Sequence, residues 1–283
     1  MLPRVLVRFN RAHRRLWSTR PFVNSRRSRL RPAVRSVTMP PALVTLCPWS
    51  VIVMLADLAG RFNPLMLAVL IGWVLLVCKH EFAHALVAYI GGDRSVRQRG
   101  YLSNPLNYIH PIYSILMPLV FLAMGGIPLP GAAVMIEEGS LRRRGWRSLV
   151  SLAGPLSDLA AFLVLAAVIH PAVGLVDASG PDVPMWAYLI GVLMFLEGFV
   201  LVLNLLPIPP LDGFNTIAPY LPRELVWRLR QPQVSMTVLV VFFITLWRVP
   251  GVAGALATAV WEPIMALGLD PALIGDGLAQ AFG

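Results

Sequence analysis

Residues 186–206, WAYLIGVLMFLEGFVLVLNLL, hold one charged side chain in 21 positions. Comparable apolar runs recur at about 42–60, 64–90, 111–134, 148–170 and 235–249. Roughly 20 helical residues cross a hydrocarbon core, and most of these runs are long enough to do so. With 57% hydrophobic residues, 13% charged residues and a mean hydropathy of +0.70, the chain is too apolar for an ordinary soluble domain. The sequence predicts an all-α membrane protein, a multi-pass helical bundle of about five to six transmembrane segments, with room for a re-entrant or short β element.

The net charge of +10 is unevenly placed. Residues 1–40 carry eleven arginines and no acid, which leaves 24 − 11 = 13 basic residues against 14 acidic ones in the rest. Residues 1–41 therefore read as an Arg-rich, disordered cytoplasmic tail, with an organelle transit peptide as the alternative. A membrane-embedded core spans 42–250, and 251–283 reads as an apolar interfacial tail on the non-cytoplasmic side. Arginine outnumbers lysine 23 to 1, a bias of composition that gives no reason to expect nucleic acid as a partner. Cys47 and Cys78 each fall inside an apolar run, where a thiol behaves as a small apolar group, so neither a disulfide nor a cysteine metal site is expected.

Loop charge gives orientation. The 91–110, 137–147 and 222–231 loops are basic, whereas 171–185 and the C-terminal segment are acidic. If the first two basic loops are both cytoplasmic, the apolar stretch between them cannot cross the bilayer once. That stretch contains Pro118, Gly125, Gly126, Pro128 and Pro130. It is expected to form a re-entrant hairpin or bent helix, and a full crossing is the alternative.

Inside the 64–90 run lie Lys79, His80, Glu81 and His84, although ionisable groups at membrane depth cost several kcal/mol. His80-Glu81-Phe82-Ala83-His84 reads H-E-x-x-H. On a helix, positions i and i+4 share a face, so both imidazoles can reach one cation with the glutamate beside it. Two histidines satisfying each other in a bundle would also give the pattern, but burial in lipid favours a compensating dication. A catalytic zinc site needs a third protein ligand and an open position. Asp158 and Glu197 lie in other runs, and Asp212 lies in NLLPIPPLDGF. There Pro207, Pro209 and Pro210 force extended backbone and Gly213 permits a tight turn. Asp212 is thus either a positioned ligand or part of an ordinary turn at a membrane exit.

HEFAH at 80–84, AGPLSD at 153–158 and NLLPIPPLDG at 204–213 together resemble the site-2 protease family of intramembrane zinc metalloproteases. The small bacterial-type branch is resembled further through GYLSNPLNYIHPI and SLVSLAGPLSD. The likeness covers roughly 64–250. It implies one Zn²⁺ held by His80, His84 and Asp212, with Glu81 as general base activating water for peptide hydrolysis. It further assigns Asp158 and Asn204 to substrate or oxyanion binding. The family usually has Asn where this chain has Asp158, and Tyr108, Ile109, His110 and Pro111 replace the branch's usual H-x-D-P. An ionised Asp158 would repel an oxyanion, whereas a protonated one could donate a hydrogen bond.

The implied substrate is a transmembrane or signal-peptide-like protein, met in the lipid bilayer of a bacterial cell membrane. GGIPLPGAAVMI could offer a strand edge to an unwound substrate, or be only a re-entrant loop. Counted from Gly91 and from Ser148, His80 and Asp158 lie at similar depths of about 15–16 Å. Lys79 is expected to pair with Asp158 or Glu197, or else to face a water-filled cavity. Three other functions fit less of the pattern. A catalytically inactive scaffold would keep the fold. A polar-relay transporter would be expected to show an inverted repeat. A prenyl-protein protease would take its third ligand from a glutamate.

Overall fold

The computed structural model describes residues 63–108, 134–176 and 183–282. The 42–60 run, the arginine-rich tail and almost all of 111–134 lie outside the described residues.

Helix α1 (Pro64–Gly91) starts where Asn63 accepts a hydrogen bond from the Met66 N–H and Pro64 occupies the first turn, a position where its missing donor costs nothing. It stops at Gly92, whose φ of 124° turns the chain away. A short helix α2 (Ser95–Gln98) follows. Helices α3 (Arg144–Ile169) and α4 (Met185–Asn204), with α1, are the described helices long and apolar enough to cross a membrane. Beyond them come α5 (Asp212–Ile217), α6 (Arg223–Leu229) and α7 (Pro232–Arg248). A 70° bend separates α6 from α7, which counts as a fourth span only if the pair is taken together. Helices α8 (Pro250–Ala266) and α9 (Pro271–Phe282) complete the chain. Among the described residues there is no strand, and the protein is an all-α, multi-pass membrane protein. Ile71, Leu75, Val164, Val240 and Ile244 point outward and exposed, as lipid-facing side chains do.

The loops gather at two ends. At one, the Arg142 N–H donates to Gly91 O at 3.1 Å, and Asp93 Oδ2 accepts from the Glu137 N–H at 2.8 Å. Glu137 also pairs with Arg99 at 2.7 Å, and Glu138 with Arg230 at 2.7 Å. The basic 91–108, 134–147 and 222–231 segments therefore share one end, as their charge suggests. Tyr108 and Val134, which flank 109–133, pack with Cys78, Ala85 and Ala88 of α1, and the stretch itself, with the expected re-entrant turn, is outside the described residues.

At the opposite end His170 Nε2 donates to Leu267 O at 2.9 Å, and Asn63 Nδ2 to Gln280 O at 2.6 Å. The C-terminal segment does more than lie along an interface. Ile264, Leu273 and Ile274 join the buried cluster with Phe162, Ala187 and Met194, and Ala281 packs with Leu65, Val69 and Trp73. The faces of α8 and α9 find these partners only when α4 and α1 are in place.

Candidate metal centre

The deciding geometry lies midway along α1, where it crosses α3. His80 and His84, one turn apart, both point to α3 and are buried. Gly154 makes room for them. A Cβ there would collide with the ring nitrogen Nε2 of each histidine. The sequence shows Gly154 only as part of AGPLSD, and its steric reason emerges only with the two helices packed.

Each ring is fixed from behind. His80 Nδ1 meets Asp158 Oδ2 at 2.7 Å, and His84 Nδ1 meets Val150 O at 2.6 Å. Both partners are acceptors, so Nδ1 carries the proton in each ring and Nε2 of a neutral ring is left with a lone pair. These two Nε2 atoms are 3.0 Å apart. Asp212 Oδ2 stands 3.1 Å from the first and 3.3 Å from the second.

Asp212 reaches them from the far side. After α4 ends, Leu206, Ile208 and Leu211 donate in short backbone turns that carry the chain back to the site, and Asp212 opens α5. Gly213 matters for close approach more than for the turn freedom its sequence context suggests. A side chain there would strike the carbonyl oxygens of Leu205 and Leu206. Asn215 fastens the stretch by donating to Pro210 O at 3.0 Å.

Three lone-pair atoms thus converge with no donor among them, a set that only a cation can hold together. Protons could do so, and so could a metal ion. Ligands about 2.0–2.1 Å from a tetrahedral zinc lie about 3.3 Å from one another. The observed triangle of 3.0, 3.1 and 3.3 Å has that size. His80, His84 and Asp212 also form a group of donors within reach of one ion. The residues present therefore fit zinc.

Glu81 is buried on the same helix, with the main chain of Val134 beside its carboxylate. Val134 begins the irregular 134–137 stretch, which leads to Glu137 and its bond to Asp93 at the basic end. Tyr108, in place of the branch's usual residue, is buried, stacks on Tyr101 and donates to the Tyr101 carbonyl. Burial, with the Glu81 carboxylate adding to it, pushes its phenol up to about 12, so it is a neutral hydroxyl at ordinary pH.

Asp158 and Asn204, expected at a substrate or oxyanion site, sit in different surroundings. Asp158 does not face a substrate space: it is 1% exposed, and its oxygens are taken by His80 and by Lys79 Nζ. Asn204 is the last residue of α4, half-buried, and its side chain makes no hydrogen bond among the described residues. Lys79 resolves its alternatives by bonding both carboxylates, at 2.9 Å to Asp158 and 2.9 Å to Glu197.

Comparison with known proteins bears on the same residues' setting. Over 177 residues the chain is 42% identical to a Mycobacterium tuberculosis protein named "Putative zinc metalloprotease Rip2", covering 60% of this chain and 66% of that one. A Mycolicibacterium smegmatis protein of the same name is 44% identical over 159 residues, 55% of this chain and 58% of its own length. The chain thus spans less than two thirds of these mycobacterial relatives. A Bacillus subtilis protein, "Putative zinc metalloprotease YwhC", is 32% identical over 174 residues, 59% of this chain and 75% of that protein. The chain belongs to the site-2 protease family. No family model and no solved structure matches it. Membership in this family of zinc metalloproteases accounts for why two imidazoles and a distant carboxylate are brought to one point among apolar helices.

Proposed function

We propose that this site-2 protease family member is an intramembrane zinc metalloendopeptidase that hydrolyses peptide bonds within or near transmembrane segments of membrane proteins. The observation that carries it is the convergence of His80 Nε2, His84 Nε2 and Asp212 Oδ2 at 3.0, 3.1 and 3.3 Å from one another. Zinc bound there would supply Lewis acidity, polarising a carbonyl and lowering the pKa of water towards 7.

The chain's own residues supply the rest. Glu81 takes a proton from the attacking water and passes it to the leaving amide nitrogen, the acid–base work its place inside H-E-x-x-H suits. A substrate approaching as an unwound strand, past the irregular 134–137 stretch beside Glu81, belongs to this reading. Basic segments gathered at one end support a cytoplasmic position for that end in a bacterial cell membrane. A single-pass or signal-peptide-like segment is the proposed substrate.

The test is cleavage of a model transmembrane substrate by purified protein in detergent, with zinc content measured on the same samples. About one zinc per chain and a product lost by 10²-fold or more in Glu81→Gln are expected. Equal cleavage by wild type and Glu81→Gln would contradict the mechanism.

A further inference from the structure

Lys79 is one residue outside H-E-x-x-H, and Glu197 belongs to none of the three matching motifs, yet both are built into the bundle beside the metal centre. Lys79 comes from α1, Asp158 from α3 and Glu197 from α4. The Lys79 ammonium donates to Asp158 Oδ1, to Glu197 Oε2 and to the Ser157 carbonyl, all at 2.9 Å. Asp158 and Glu197 are almost fully buried, and the Lys79 side chain is 30% exposed. Charged groups at this depth persist only when each is paired.

We propose that Lys79, Asp158 and Glu197 form a positioning relay for His80, setting the tautomer and direction of the ring that presents Nε2 to zinc. This rests on the zinc reading above. Asp158 is the centre of the relay. Its Oδ2 receives the His80 Nδ1–H, and its Oδ1 is held by Lys79. A carboxylate with one oxygen pinned cannot swing away from the imidazole, so the ring keeps one orientation and its Nε2 lone pair stays aimed at His84 Nε2 and Asp212 Oδ2. Glu197 completes the relay by holding the ammonium from the third helix.

The arrangement explains the acid at 158. A neutral amide could accept from Nδ1–H through its oxygen, but its nitrogen would then face the Lys79 ammonium, donor against donor. Aspartate presents acceptors to both partners. Lysine at 79 and aspartate at 158 are therefore chemically coupled choices, and the histidine between them is the beneficiary. A carboxylate behind a metal-bound imidazole also strengthens the ring's donation to the metal. His84 has only a backbone carbonyl behind it, so the two imidazoles are not equivalent.

The experiment measures zinc affinity by chelator competition, and the visible absorption spectrum of the Co²⁺-loaded protein, in purified wild type, Asp158→Asn, Asp158→Leu and Lys79→Met. Wild type should bind most tightly, Asp158→Leu about 10- to 100-fold more weakly, and Asp158→Asn between them, with the Co²⁺ bands displaced in each variant. Lys79→Met should weaken binding by less than Asp158→Leu. If Asp158→Leu does not fold, Asp158→Asn decides alone: affinity within twofold of wild type and superimposable Co²⁺ bands would overturn the relay. A wild type that binds no zinc overturns the protease reading itself. Wild type that binds zinc and cleaves through Glu81, with Asp158 variants unchanged, overturns only the relay.

Discussion

The two halves of the α1–α3–α4 bundle are built on different chemistry. Toward the N-terminus of α1, Leu65, Val69 and Trp73 pack on Val192, Leu193 and Leu196, and on Ala281 of α9, with no charged group in the cluster. About two turns further along α1, helices α1, α3 and α4 meet through Lys79, His80, His84, Asp158 and Glu197. Close packing holds the first half, where lipid gives little hydrophobic drive and contact surface must do the work. Directional bonds hold the second, and they leave three lone pairs unsatisfied by any protein donor. A site can be left electrically incomplete because the neighbouring half keeps the helices in register without it.

That contrast can be broken from either side. The largest effect is expected from Gly154→Val, which drives a side chain into both Nε2 atoms. Zinc affinity should fall by more than about 100-fold. The helical circular dichroism should survive, because the apolar half is untouched, and loss of the fold together with the metal would mean the halves are not separable. Next comes Gly213→Ala, whose methyl meets the Leu205 and Leu206 carbonyls. It should displace Asp212 and weaken zinc by about tenfold, leaving His80 and His84 in place.

Ile274→Ala probes the apolar packing next to that first half, where α9 meets α4. Ile274 is fully buried against the α4 helix, so its truncation should cost about 2 kcal/mol or more by the cavity left behind. Thermal unfolding in detergent should shift down by several degrees while zinc affinity per folded molecule stays the same. A change in zinc affinity would show that packing and site are coupled. Smallest is Glu138→Gln at the basic end. Its pairs with Arg230 and Arg147 join partly exposed groups, and losing them should move stability by no more than about 0.5 kcal/mol.

Much of the polar half could be seen in the sequence. Four ionisable residues within six positions of an apolar run need a reason, and H-E-x-x-H supplies a geometric one that helical periodicity makes checkable. Asp212 was harder, because P-P-L-D-G is also turn chemistry. Only the fold brings a carboxylate 132 positions away to 3.1 Å from His80. Gly154 carried no signal of its own: its reason is the approach of two helices, which no local pattern encodes. Asp158 resembled a substrate-binding position and stands behind His80, because the sequence cannot tell which side of a ring an acid will occupy. The apolar half was legible as spans but not as contacts. Residues 251–283 read as an apolar interfacial tail, and the sequence shows nothing of how Ile274 and Gly277 fit against α4.

The most direct test of the central claim is anomalous X-ray scattering at the zinc edge from crystals of the zinc-loaded protein. One peak is predicted, about 2.0–2.2 Å from each of His80 Nε2, His84 Nε2 and Asp212 Oδ2. A peak bound by other residues, or zinc-loaded crystals with no peak between these three atoms, would contradict it.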